Sequence, residues 1–352
     1  MTRTEHLSLS EDLDGAVERV LEPQCPLDWG LMASAAPPPP QPVTGSVADS
    51  VARRFIQHNH AVLVELPDLV MVARAIDRAV LYNRHAPPGG RRCVIVLGPS
   101  HIGKSFAVLQ ALLADYRRLL PTAPPGVDPY LPWTWGLMDG EGLGRAMLAG
   151  ICGFHSIPQS RTTDTTSTLL QRYRSLIGPL GIVGVHIDDL GSMNVHGNQI
   201  IDLAGVLKAM VTSLPLTVVL TAIPGTPLID GHNAPSATQQ LLTRATIVHL
   251  KPLPAPAGVP GAWERMMYDL IGKLVMPRGA RQIQLNRRRV NTLLYERTAG
   301  LPGSAIVWVK EAAALAAMTD STLGLETLLA TAPTSPPATT VAPANPRRGG
   351  PR

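Results

Sequence analysis

The chain has 352 residues, 45% of them hydrophobic, with 31 Lys and Arg against 26 Asp and Glu for a net charge of +5. That is enough apolar material for one large core or two modest ones, and no apolar run approaches the roughly 20 residues of a membrane-spanning helix, so no membrane partner is expected. Three scattered cysteines, Cys25, Cys93 and Cys152, speak against a disulfide framework or a cysteine metal site and fit a reducing, cytoplasmic setting.

Residues 1–45 open on acids, Glu5, Glu11, Asp12, Asp14 and Glu18, unlike the basic start of a secretion signal. They hold a short helical pattern over Glu11–Leu21, then Trp29, then the run Pro37-Pro38-Pro39-Pro40-Gln41-Pro42, which predicts an extended polyproline linker. This segment is read as a tether or docking peptide. It carries two arginines against seven acids, and residues 331–352 carry three arginines and no acid, so the stretch between holds +7. A basic folded core suits a polyanion such as nucleic acid, although solvated basic faces give similar totals.

Helical patterns over Val47–His58 and Asp68–Tyr82 precede the apolar run Val94–Leu97, which predicts a buried strand. That strand feeds Gly98-Pro99-Ser100-His101-Ile102-Gly103-Lys104-Ser105, a complete G-x-x-x-x-G-K-S loop. Each position has a chemical reason. The glycines let consecutive backbone N–H groups curl around phosphate oxygens, Lys104 reaches the outer phosphates, and the Ser105 hydroxyl is a ligand for Mg²⁺. The predicted helix from Phe106 to Leu120 adds its positive end to the same site.

After a proline-rich turn over residues 121–129, Trp133–Met138 reads as a strand, Leu143–Gly150 as a helix, and the polar stretch Ser160–Thr168 leads into a helix through Ile177. Next comes Ile182-Val183-Gly184-Val185-His186-Ile187-Asp188-Asp189, a buried-type strand ending in two carboxylates 84 residues beyond Lys104. Behind a phosphate loop this pair makes chemical sense: Asp188 shares the Mg²⁺ with Ser105, and Asp189 orients or deprotonates an attacking water. His186, inside the strand, reads as a core histidine.

The strand Leu216–Ala222 ends near Thr221, placed to touch a terminal phosphate or the water, though an ordinary strand threonine reads nearly as well. Gln239–Arg244 reads as a helix end running into a strand over Ala245–Leu250. Arg244 there is either a surface arginine or one that projects across a subunit interface toward a neighbour's phosphate. Strands alternating with helices predict a parallel, doubly wound α/β sheet. Finally, Arg278, Arg281, Arg287, Arg288, Arg289 and Arg297 fall within 20 residues, with Glu296 the one acid among them and Tyr295 the one aromatic. That density suits phosphate contacts without base readout, or else a solvated or intersubunit face.

The order of these motifs resembles that of AAA+ ATPases. Within that class, residues from about 50 to 330 resemble the TniB-type transposition ATPases through Gly98–Ser105, Ile187-Asp188-Asp189, Leu207-Lys208, Arg244 before Ile247–Leu250, and Thr298–Gly303 running into a helix over Ser304–Met318 followed by Leu325–Leu328. The resemblance implies a P-loop NTPase domain over 46–255 and a small helical lid over 256–330; outside it lie a disordered, proline-rich segment over 1–45 and a disordered basic tail over 331–352, the latter too poor in large apolar residues to fold alone. The resemblance also implies ATP, and not GTP, as the nucleotide, homo-oligomers with ATP at subunit interfaces, assembly on double-stranded DNA, and a transposase- or integrase-like partner. Two departures point to slow, switch-like hydrolysis. Asp189 stands where the family usually has the longer glutamate, and the lid helix offers no cation before Lys310. A signalling or defence ATPase that ignores DNA, and a weakly catalytic nucleotide-binding scaffold, remain alternatives.

Overall fold

A computed structural model of the chain describes residues 23–26, 28–33, 62–64, 66, 68–127, 129–136, 144–158, 164–190, 198–229, 236–256, 261–275, 287–319 and 321–333. The helical patterns expected over 11–21 and 47–58, the proline run, Arg278 and Arg281, and the basic tail lie outside the described residues, as do the side chains of Arg287 and Arg288.

Five strands form one sheet: β1 (Cys93–Leu97), β2 (Trp133–Gly136), β3 (Gly184–Ile187), β4 (Thr217–Ala222) and β5 (Ala245–His249). All pairs are parallel and the order across the sheet is β2-β3-β4-β1-β5, so β1 lies between β4 and β5. Strands covered on both faces need apolar residues at every position. β1 meets that need with Cys93, Ile95 and Leu97 packed toward one face and Val94 and Val96 toward the other, and β4 divides Val218, Leu220 and Ala222 from Val219 in the same way.

The first face is covered by α4 (Gly144–Phe154), α5 (Thr166–Leu180), α6 (Asn198–Ser213) and α7 (Ser236–Leu242), with a largely aliphatic core. The opposite face takes α2 (Leu69–His85) and α3 (Lys104–Leu119), and its packing is aromatic near β2. There Trp133 donates its indole N–H to Asp115 at 2.9 Å, giving that buried carboxylate a partner. A short helix, α1 (Asp28–Ala33), docks on this face. Its Trp29 is fully buried, stacked on Tyr116 with ring centroids 6.0 Å apart and edge-on to Trp135 at 6.3 Å. Sequence alone places Trp29 within a tethering segment. The helix at 28–33 forms where this indole finds an aromatic seat, a long-range event that no local pattern announces.

A separate core joins α8 (Ala262–Lys273), α9 (Arg287–Thr298), α10 (Pro302–Met318) and α11 (Leu325–Ala330) around Trp263 and Trp308. Val62, Val64 and Leu66 join it, fastened by Lys310 Nζ donating to the Val62 carbonyl at 2.8 Å and Lys273 Nζ to that of Leu63 at 3.0 Å.

Candidate nucleotide site

The site lies where β1, β3 and β4 end. Leu97 closes β1, and the chain turns through residues 98–103 into α3 with His101 at φ 61° and Gly103 at φ 97°. Gly103 caps the helix from a left-handed conformation that a side chain would strain. The N–H groups of the first turn therefore face the loop without intrahelical partners, the usual condition of a helix start and a ready anion cradle. A Cβ at Gly98 would lie 2.8 Å from Ile102 Cγ2, so the tight turn admits hydrogen only.

Lys104 is buried within this loop and its ammonium donates to the carbonyls of Gly98 and Pro99, both at 3.0 Å. Burial pushes its pKa below the usual lysine range, against the opposing pull of Asp189 and then Asp188. Ser105, one residue on, donates its hydroxyl to Asp188 Oδ1 at 2.8 Å. The loop and the acidic strand, 83 residues apart in sequence, thus meet through one hydrogen bond.

Asp188 is 8% exposed and collects further donors. The Thr221 hydroxyl donates to the same oxygen, and so does the Asp189 N–H at 3.0 Å. That N–H also reaches Thr221 Oγ1 at 2.8 Å, which Asp189 achieves by adopting φ 50°, a left-handed turn that Asp tolerates better than most residues. Thr221, which the sequence reads either as a contact to a phosphate or water or as an ordinary strand threonine, clamps the two acids together. Sequence reasoning missed this role because it depends on β3 and β4 being neighbours. His186, fully buried, lies against Trp135 with ring centroids 4.2 Å apart and Nε2 3.8 Å from Asp188 Oδ1. Burial lowers its pKa to about 4, so the ring is neutral at pH 7.

The helical lid reaches the same loop. At the start of α10, a Cβ on Gly303 would lie 2.3 Å from the His101 carbonyl oxygen, so lid helix and phosphate loop touch backbone to backbone. Phe106 packs against the lid core from the loop side. Ser100 and His101 are exposed, and Pro99 is half-buried.

Arg244 stands elsewhere. It precedes β5, whose first residue pairs with Cys93 at the start of β1. The loop leaves the far end of that strand, a five-residue strand or roughly 16 Å away. Arg244 is therefore not part of the cluster formed by Lys104, Ser105, Asp188, Asp189 and Thr221 in its own chain.

No protein-family model matches the chain, and no curated protein matches it. Solved structures do. The Aeropyrum pernix ORC1 protein in complex with DNA aligns at a TM-score of 0.57 with 12% identity over 77% of this chain and 66% of that one. The Aeropyrum pernix ORC2 protein, in ADPNP–ADP complexes, aligns at 0.54 with 14% identity over 80% and 71%. Cdc6p from Pyrobaculum aerophilum aligns at 0.51 with 13% identity over 73% and 64%. The chain thus spans slightly less than two thirds of the ORC1 and Cdc6p chains. Its fold is that of these ORC and Cdc6 proteins.

The likeness is one of fold, and the site residues rest on this chain's own geometry. A loop of backbone donors, a buried lysine, and a serine hydroxyl touching a buried carboxylate make an oxygen-rich set that fits a nucleotide polyphosphate with a hard divalent cation such as Mg²⁺. Among the described residues no helix is long and apolar enough to cross a membrane.

Proposed function

We propose that this protein is an ATP-driven assembly switch: it binds ATP with Mg²⁺, assembles with copies of itself on double-stranded DNA, and presents that assembly to a transposase- or integrase-like partner. The observation that carries the nucleotide part is the meeting of Ser105 with Asp188 beside Lys104. For ATP to bind, Lys104 exchanges the carbonyls of Gly98 and Pro99 for phosphate oxygens, and the loop amides from Gly98 to Phe106 close around the phosphates. Ser105 and Asp188 would hold Mg²⁺, which supplies charge neutralisation on the phosphate oxygens. Asp189, turned outward by its left-handed backbone, takes the proton of the attacking water, while Thr221 fixes its position through the backbone N–H.

Arg244, on the opposite sheet edge, serves a neighbour's nucleotide and not its own, which makes hydrolysis a property of the assembly. The DNA part rests on the net positive charge between the flanking segments and on the arginine-rich stretch around α9, where Arg289 and Arg297 are exposed. The ORC1 structure named above is itself a complex with DNA. The transposition part rests on the sequence resemblance to TniB-type ATPases.

The deciding experiment is fluorescence anisotropy of a random double-stranded DNA fragment at low and moderate salt, with ATP, ADP or no nucleotide, and with Lys104→Ala as control. Binding that needs ATP, weakens with salt and vanishes in the mutant is expected. A protein that binds ATP yet ignores DNA under all conditions overturns the DNA assembly.

A second reading, a nucleotide-binding scaffold with little turnover, draws support from two observations. Asp189 is a methylene shorter than glutamate, and the lid helix brings its first cation, Lys310, to the Val62 carbonyl and not to the loop. Turnover that disappears in Asp189→Asn would remove it.

A further inference from the structure

At the end of the sheet opposite the nucleotide loop, the residues just before β1 and β5 stand side by side, because Cys93 pairs with Ala245. They are Arg92 and Arg244. Between them opens a cavity of about 280 Å³ lined by Tyr82, Gly90, Arg92, Thr243, Arg244 and Thr246 among others, with no acid in its wall.

Both arginines are held firmly by backbone. Asn83, buried on α2, donates its amide to the Arg92 carbonyl and accepts from the Arg92 N–H, each at 2.8 Å, and a third bond at 3.0 Å ties it to Thr217. The Arg92 guanidinium lies over the Tyr82 ring, 4.5 Å from its centroid. Stacking of this kind occupies the face of a guanidinium and leaves its in-plane N–H donors available. Arg244 accepts from the Cys93 N–H at 3.2 Å and donates its own N–H to Leu241 at 3.0 Å. Its Nη1 is buried and has no hydrogen-bond partner. No carboxylate among the described residues pairs with either arginine.

A buried, unpartnered guanidinium nitrogen is costly, and the exposed Arg92 adds a second positive charge at the same cavity, whose wall holds no acid. The arrangement is relieved by a group carrying close to two negative charges on several oxygens, which describes a phosphoryl group better than a single carboxylate. The cavity falls just under the roughly 300–1,000 Å³ of whole small-molecule sites, so it fits the phosphate end of a ligand better than a complete nucleotide. We infer that the cavity between Arg92 and Arg244 is a two-arginine phosphoryl-binding site, in which Arg92 is a second cation that the motif order does not reveal. The group comes either from the terminal phosphate of ATP held by a neighbouring copy or from a free phosphate compound. The first source rests on the assembly reading above; the second does not.

Two measurements on the full chain separate these sources. Pyrophosphate binding is titrated calorimetrically in a Lys104→Ala background, which keeps the probe off the nucleotide loop, with and without Arg92→Ala. ATP turnover is measured for Arg92→Ala alone, Lys104→Ala alone and their equimolar mixture. Arg92→Gln, which keeps the backbone bonds to Asn83 and part of the stacking, is run beside Arg92→Ala in case the latter fails to fold.

With a neighbour as the source, each variant alone turns over about tenfold or more below the parent, as befits loss of a charge-assisted contact, and the mixture recovers part of that activity. Recovery arises because the Lys104→Ala chain lends its intact pocket to a live loop. With a free phosphate as the source, Arg92→Ala weakens pyrophosphate binding by about tenfold or more and mixing recovers nothing. Unchanged turnover together with unchanged pyrophosphate binding overturns the site. Reduced turnover with neither recovery nor a change in pyrophosphate binding assigns Arg92 to the fold alone and overturns it equally. Arg244→Ala, measured in parallel, keeps the two ideas apart. If it alone loses turnover while Arg92→Ala also leaves pyrophosphate binding unchanged, Arg244 keeps its role toward a neighbour and the two-arginine pocket falls.

Discussion

The two ends of the sheet are built on opposite principles. Where β1, β3 and β4 finish, Lys104 is tied to two carbonyls, and Asp188 to Ser105, Thr221 and the Asp189 amide. Where β1 and β5 begin, Arg244 keeps a buried nitrogen without a partner and Arg92 rests on a tyrosine ring. At the first end Lys104 and Asp188 find their partners within one chain. The second is organised just as firmly by Asn83 and by the β1–β5 pairing, yet its charge is left for something outside the chain to answer. Rigidity and completeness are thus separate properties of a site.

The sharpest way to break this contrast is Arg244→Ala. On the assembly reading it should cut ATP turnover by on the order of a thousandfold at protein concentrations that allow assembly, while leaving ATP affinity of the dilute chain within about twofold. Steady-state hydrolysis and nucleotide titration check the two halves. A proportional loss of affinity would place Arg244 in its own chain's site and erase the difference between the ends.

Lys104→Ala attacks the closed end. Loss of one charge-assisted phosphate contact should weaken ATP binding by about a hundredfold, roughly 3 kcal/mol, and calorimetry would read it directly. The pocket at Arg92 should be unaffected.

Thr221→Val is a subtler cut. It removes one donor to the buried Asp188 and one acceptor of the Asp189 N–H, so a cost of about 1–3 kcal/mol in stability is expected, seen as a lower Tm. Turnover should fall along with it if Thr221 positions Asp189, whereas a threonine that merely fills a strand would lower the Tm without changing kcat.

Acid is the mildest probe. Burial holds both His186 and His155 at a pKa of about 4, against 6.5 for the free side chain. Between pH 6.5 and 4 the unfolded chain takes up protons that the folded chain refuses, so stability is full above pH 6.5, falls through that window and levels off below it. The slope should be roughly 1.4 kcal/mol per pH unit for each histidine. Thermal unfolding at pH 7, 6 and 5 tests this, and His155→Gln should remove about half of the histidine contribution.

How far the sequence reaches is uneven for physical reasons. The strands were legible as apolar runs, β1 to β4 because they are buried along their whole length and the half-open edge strand β5 because Ile247 and Val248 still mark it, and the meeting of Ser105 with Asp188 beside Lys104 follows the order and spacing of the two motifs. The helix α6 (Asn198–Ser213) is hard to read from sequence, since apolar residues outnumber polar ones and reach its exposed side at Ile201, and its first turn carries no acid. The strand order was not legible, and everything that depends on it was hidden too. Thr221 touches Asp188 only because β4 lies beside β3, and Arg92 meets Arg244 only because β1 lies beside β5. Trp29 was read as part of a tether because its aromatic seat on Tyr116 and Trp135 is assembled from residues about 90 to 105 positions away.

The placement of Arg244 a full strand away from Lys104 has a geometric corollary. On the proposed reading, a subunit offers a donor surface at one end and an acceptor surface at the other, so copies join head to tail and the resulting array has polarity. An open array then holds one fewer complete hydrolytic site than it has subunits, and the copy whose loop faces no neighbour keeps its ATP. Such an array has a stable end and sheds subunits from within or from the other side, so it would carry direction along a DNA duplex that itself has none.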